Sequence, residues 1–222
     1  MRTVRSFVLR QGRITQSQQN ALDEYWPRFG LEADTDFDGI NAFGRTAPVV
    51  LEIGFGNGEC IAQLAANNPD RDYLGIEVHR PGVGHLLLKM RELGLSNIRI
   101  YCADAVDILK DRIPDESLVR IQIYFPDPWH KKRHNKRRLI NEEFVSLATR
   151  KLKPGGIIHC ATDWEDYAQQ MLEVLGSNGS LRNQAASGLF SERPDYRPLT
   201  KFESRGQRLG HGVWDLLFEK IV

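Results

Sequence analysis

The chain has 222 residues, 41% of them hydrophobic and 27% charged, with a formal net charge of +1. These totals suit one globular domain with a sizeable core, and they exclude a protein that is basic throughout. The cysteines Cys60, Cys102 and Cys160 are odd in number, far apart and in no CxxC pattern; neither a disulfide framework nor a zinc site is expected.

Residues 1–46 are polar and mixed and read as an N-terminal segment ahead of a domain over residues 47–222. "MRTVRSFVLRQGR" breaks its apolar residues with arginines and lacks a signal-peptide core. "TQSQQNALDEYWPRFG" has helical spacing that Pro27 and Gly30 are expected to close. After Pro48 the pattern alternates. "VVLEIG" is a β-branched apolar run, and "ECIAQLAANN" behind it is helical in period. "DYLGIEV" predicts a second strand and "GHLLLKMRELG" a helix ending at Gly94. "NIRIYCA" follows as a strand, "AVDILKDR" as a short helix and "LVRIQIYF" as a fourth strand. "NEEFVSLATRKLKPGG" predicts a helix, "IIHCATD" a fifth strand, and Trp164 to Leu175 a further helix. Past a loop rich in Gly, Ser and Asn, "TKFES" and "VWDLLFEKIV" read as two final strands. No apolar run approaches the ~20 residues of a membrane span, so a soluble cytoplasmic protein is expected.

Strands alternating with helices predict an α/β fold, a mostly parallel seven-stranded sheet with helices on both faces. Such sheets bind ligands beyond the carboxyl ends of their strands. Five consecutive strand ends carry an acid: Glu52, Glu77, Asp104, Asp127 and Asp163. "LEIGFGNGE" places Gly54, Gly56 and Gly58 between the first strand and its helix, where glycine lets the backbone approach a ligand. A dinucleotide fingerprint would need glycine where Glu59 stands. Glu52 just before the glycines would repel pyrophosphate and suits a ligand with a cationic end. The E-x-G-x-G-x-G pattern resembles motif I of class I methyltransferases, which implies S-adenosyl-L-methionine as cofactor. Glu77 stands where an acid accepts from ribose hydroxyls, and alone it fits a nicotinamide oxidoreductase equally well. Asp104 in "CADA" has no place in a dinucleotide site; in methyltransferases an acid there meets the adenine amino group.

After the fourth strand, "YFPDPWHKKRHNKRR" clamps Asp127 between two prolines and runs into Lys131, Lys132, Arg133, Lys136, Arg137 and Arg138. "PDPW" resembles the Asn/Asp-Pro-Pro-aromatic motif of amino-methylating enzymes. "PDPWHKKRHNKRR", together with "RQGRITQSQQNAL", "HCATDWEDYA" and "TKFESRGQRLGHGVWDL", resembles the bacterial tRNA (guanine-N(7)-)-methyltransferases over nearly the whole chain. That resemblance implies a Rossmann-like class I methyltransferase fold and methylation of the variable-loop guanosine at position 46 of tRNA. It implies a cofactor site at Glu52, Gly54, Gly56, Gly58, Glu77, Asp104, Ala105 and Asp127, with Asp127 also catalytic. Lys131, Asp163, Thr200, Lys201, Phe202 and Glu203 match the substrate-contacting positions. Arg133, His134, Asn135, Lys136, Arg137 and Arg138 match the RNA-interacting stretch. The partner implied is tRNA, with no membrane, no obligate protein partner and no metal, and with either a monomer or a homodimer.

The chemistry can be reasoned separately. Guanine N(7) has an exposed lone pair and no proton, so no base need act before attack. A fixed carboxylate can track the positive charge as it moves from sulfur to the purine. Carboxylates can also accept from the guanine ring N–H and amino group together and so reject adenine; Asp127, Asp163 and Glu203 are the candidates, in no determined order. Trp129 reads either as a stacking surface for unpaired bases, as His130 and His134 do, or as an anchor under the loop.

Overall fold

The structure, a computed structural model, describes residues 5–7, 12–186, 189–199, 203 and 212–222. Thr15 opens the first helix, α1 (Gln16–Phe29), with a capping box shared with Gln18. Pro27 lies inside its last turn and does not close it. Proline removes one internal hydrogen bond, but the Gly30 N–H still bonds to the Trp26 carbonyl and Phe29 is buried. The chain continues through β1 (Gly30–Leu31), α2 (Gly39–Phe43), β2 (Val49–Ile53), α3 (Glu59–Asn67), β3 (Asp72–Ile76), α4 (Arg80–Leu93), β4 (Ile98–Tyr101) and α5 (Ala105–Asp111). Then follow β5 (Leu118–Tyr124), a 3₁₀ turn (Lys132–Arg137), α6 (Glu142–Lys151), β6 (Leu152–Thr162), α7 (Glu165–Gly176), β7 (Leu181–Asn183) and β8 (Trp214–Lys220).

The sheet has eight strands in the order β1-β4-β3-β2-β5-β6-β8-β7, not seven. The strands β1 to β6 pair in parallel, and β8 runs antiparallel between β6 and β7. The additional strand is β1, two residues from the N-terminal segment paired to the edge of β4. The partner of β8 is Leu181–Asn183, in the stretch read as loop; the predicted strand "TKFES" lies outside the described residues except for Glu203. Each face carries a core. Strand residues such as Leu51, Ile121 and Ile158 pack under α5, α6 and α7, while Val50, Tyr73 and Ile100 pack under α1, α3 and α4. Ala21, Leu22 and Phe29 of α1 are buried with Val83, Leu86 and Leu87 of α4, so residues before 47 share the domain's core. Among the described residues no helix is long and apolar enough to cross a membrane.

Candidate active site

Strands β3 and β4 lie to one side of β2, and β5 and β6 to the other. Crossover helices diverge at that switch point and leave a crevice at the carboxyl ends. A cavity of about 410 Å³ opens there, with Gly54, Glu77, Asp104, Ala105, Tyr124 and Asp127 in its wall. Glu77 is aimed by three backbone donors: Gly56 N–H at 2.8 Å, Val78 N–H at 2.7 Å and His79 N–H at 2.9 Å. Asp104 caps α5 by accepting from the Val106 N–H at 3.0 Å. Burial raises its pKa, and that hydrogen bond partly opposes the rise. Asp127 is exposed, in a turn held from both sides. Phe125 and Trp129 both take φ of +51°, a conformation side chains rarely adopt, and the Phe125 N–H is tied to the Ala161 carbonyl at 2.8 Å. Strain of that kind persists where surrounding structure over-determines it.

Glu52 and two of the glycines stand off this wall. Gly54 and Gly56 have φ of +71° and +57° with open space over both, so glycine is required by backbone conformation. Gly56 contributes its N–H to Glu77, whereas Gly58 caps α3 where an added Cβ would lie 2.7 Å from Leu86. Glu52 is 3% exposed, and its Oε2 has no hydrogen-bond partner in the structure. Burial pushes its pKa up to about 8, against a hydrogen bond with Cys60 that pulls it down.

The basic tract divides in two. Lys131, Lys132, Arg133 and Lys136 are exposed on or beside the 3₁₀ turn. Arg137 lies 4.1 Å over the Trp129 ring and donates to the Arg5 carbonyl, while Trp129 donates to the Ser6 carbonyl at 3.1 Å. Trp129 is therefore an anchor, with His134 at its edge. The Asn135 carbonyl accepts from the Arg138 N–H at 2.9 Å. Arg138, expected to face RNA, is turned inward and 3% exposed. It donates to the Pro128 carbonyl (2.8 Å), Gln170 Oε1 (2.6 Å) and Asp166 Oδ2 (2.5 Å), so it clamps the Asp127 turn to α7.

Of the predicted substrate residues, Asp163 is exposed at the end of β6, beside Trp164, whose ring meets His130 edge-on at 4.3 Å. Glu203 is 2% exposed and held by Arg197 through both carboxylate oxygens, at 2.7 and 2.8 Å. Thr200, Lys201 and Phe202 lie outside the described residues. Sequence reading missed Ser6 and Phe7, which line the cavity; nothing local marks them. Among the described residues no group of His, Cys, Asp or Glu is arranged to hold a metal ion.

A methyltransferase family model, described as a putative methyltransferase, matches residues 46–216. A tRNA (guanine-N(7)-)-methyltransferase of Alcanivorax borkumensis is 61% identical over 99% of this chain and 92% of its own length. The chain belongs to the tRNA (guanine-N(7)-)-methyltransferase family. Relatives of the same name from Methylococcus capsulatus and Yersinia enterocolitica are 58% and 57% identical, each over 99% of this chain and 95% and 92% of their own. Among solved structures, an antibiotic-related methyltransferase superposes with a TM-score of 0.55 at 19% identity, covering 83% of this chain and 96% of its own. TrmN from Thermus thermophilus gives 0.55 at 21% identity, over 82% and 47%. These likenesses establish the family's fold as that of the Rossmann-like methyltransferases.

Proposed function

We propose that the protein transfers the methyl group of S-adenosyl-L-methionine to N(7) of a guanosine in the variable loop of tRNA, in the cytoplasm. The observation that carries this reading is the convergence of Glu77, Asp104 and Asp127 on one cavity at the switch point, in a protein of net charge +1. That set of acceptors suits hydroxyls, an amine and a cation, and it repels phosphate. Glu77 accepts from the ribose, Asp104 receives the adenine amino group beside Ala105, and Gly54 and Gly56 leave room for the remainder. Glu52, in β2 just before the glycine loop and buried with one unpartnered oxygen, would serve the cofactor's cationic end. When bound, the cofactor supplies an electrophilic methyl group that guanine N(7) takes as the carbon–sulfur bond breaks.

Asp127 is fixed by its turn before the substrate arrives and stabilises the cation as charge passes to the purine. Asp163 orients the base from the neighbouring strand end. Lys131, Arg133 and Lys136 meet phosphates along the exposed turn, with His134, Asn135 and Arg137 behind them. The segment before residue 47, through Ser6 and Phe7 at the cavity, shares in the tRNA-facing surface. Incubating unmodified tRNA with the protein and S-adenosyl-L-methionine, then digesting it to nucleosides, tests the reading. The product expected is 7-methylguanosine; its absence, or a methyl group on another base, defeats the proposal.

A further inference from the structure

Four strands interrupt their buried faces with a polar residue. Glu52 of β2 is the register partner of Gln122 of β5, and Gln122 of His159 of β6. Asp215 of β8 pairs with Ala161, two residues further along β6. Gln122 and His159 are wholly buried and Asp215 is 2% exposed. The last three are joined by hydrogen bonds. Gln122 donates to the Tyr124 hydroxyl at 2.7 Å, and the hydroxyls of Tyr124 and Tyr196 each lie 2.9 Å from His159 Nδ1. His159 Nε2 lies 2.7 Å from Asp215 Oδ1. Burial holds the His159 pKa down although Asp215 draws it up; Nε2, beside a carboxylate oxygen, is the nitrogen placed to donate, which leaves Nδ1 to accept from the hydroxyls.

Arg197 closes this row. It is 0% exposed and donates Nε and one terminal nitrogen to Asp215 at 2.7 and 2.9 Å. It also donates to both oxygens of Glu203. Burial opposes its charge, but the hydrogen bonds to Glu203 and Asp215 outweigh this and raise its pKa. The same guanidinium lies 5.8 Å from the Tyr124 ring and 5.9 Å from the Phe125 ring. Tyr124 and Phe125 both line the cavity, and Phe125 lies two residues before Asp127.

We propose that Arg197 is a positioning residue for methyl transfer: it references Glu203 and the Tyr124–Asp127 turn to one fixed point on the sheet. The proposal rests on the reading that Asp127 stabilises the charge passing to the purine, with Glu203, matched by resemblance to a substrate-contacting position, as the second group to be placed. An ion network serving stability alone is the competing account. Buried charges are poor stabilisers compared with apolar packing and are best attested where they fix one arrangement. This network also reaches the cavity wall at Tyr124, a position that stability alone does not require.

The test uses the full chain and tRNA, with kcat, KM for tRNA and calorimetric affinity for S-adenosyl-L-methionine measured well below the melting temperature. Arg197→Lys keeps the charge but cannot bridge two carboxylates in the same fork. It is expected to lower kcat about tenfold or more, with cofactor affinity within about twofold, and Glu203→Gln added to it is expected to cost nothing further. Wild-type kcat in a folded Arg197→Lys protein, or additive losses in the double variant, overturns the proposal. Should Arg197→Lys not fold, the cycle of Tyr124→Phe with Glu203→Gln replaces it. Both residues lie against Arg197, one by its ring and the other by its carboxylate, so coupled losses support the proposal and independent ones overturn it. The wild-type control separates the two readings: if it leaves tRNA guanosine unmethylated, the function falls first and this proposal with it.

Discussion

The rim of the cavity and the polar row beneath it are both rich in charge, yet they use it in opposite ways. Asp127 at the rim, and Lys132 and Arg133 in the turn that follows it, are exposed, where charge costs little and remains available to a ligand. Arg197, Asp215 and Glu203 are almost wholly buried and satisfy one another, because an unpaired charge there is prohibitively costly. Exposure thus separates Asp127 and the cations after it from the buried set that holds the turn, while Glu77, buried and held by backbone donors, still faces the cavity. Arg138 shows why position in the chain is a poor guide: it ends a basic run but belongs with the second group.

The largest effect expected from breaking this division is at Asp127. Asparagine makes the same turns, so Asp127→Asn is silent if the residue only shapes the loop. If its charge stabilises the transition state, turnover falls about 100- to 1,000-fold, or ~2.7–4 kcal/mol. Single-turnover rates at saturating tRNA and cofactor measure this, and near-wild-type rates would return Asp127 to the structural group. Glu52 falls between the groups, buried but incompletely paired. Its folded pKa of about 8 exceeds its ordinary value of 4.5, so the native state keeps the proton to higher pH than the unfolded chain does. Without cofactor, stability should therefore fall as pH rises through that interval, by at most ~1.4 kcal/mol for each pH unit crossed. Urea melts at pH about 5 and about 9 should show this slope flattened in Glu52→Gln; an unchanged slope means Glu52 has found a partner.

Glu77→Ala comes next, weakening S-adenosyl-L-methionine binding by roughly 1–3 kcal/mol in calorimetry. Part of that loss comes from the backbone around the site, since Gly56 of the glycine loop and Val78 and His79 after β3 lose the acceptor for their N–H groups. Glu77→Gln, which keeps one acceptor oxygen, should lie between alanine and wild type. Equal affinity in all three would remove Glu77 from the site.

The rim was legible in the sequence and the row beneath it was not. Glycines, prolines and acids at strand ends carry position-specific signals, and Glu77, Asp104 and Asp127 do converge on one cavity. Periodicity located the central strands because helices cover them on both faces and burial there favours apolar side chains. It missed β1 and β7, of two and three residues, which exist only because a neighbouring strand offers an edge. The signal for the polar row was present: "VVLEIG", "RIQIYF", "IIHCAT" and "VWDLL" each break an apolar run with one polar residue. Reading these as a row requires the strand register, and Arg197 joins it from a segment with no periodicity. Arg138 could not be separated from Arg133 by sequence, because only α7 packing against the turn distinguishes them.

That separation gives the smallest effect and the sharpest contrast. Replacing Lys132, Arg133 and Lys136 by Gln removes cations that are already in water, so the fold should be unaffected. Affinity for tRNA should fall, and the slope of log affinity against log salt should drop by about 0.7–0.9 for each phosphate no longer neutralised. Arg138→Gln should do the reverse. Its guanidinium is committed to Pro128, Gln170 and Asp166, so the salt slope should hold while stability falls by roughly 1–3 kcal/mol, the cost of buried groups left unpaired. Turnover should decline too, because the clamp on the Asp127 turn is loosened. A salt slope that dropped in Arg138→Gln as much as in the triple variant would place this arginine back among the phosphate ligands. It would also mean that the turn opens on RNA, releasing a side chain that the free protein keeps buried.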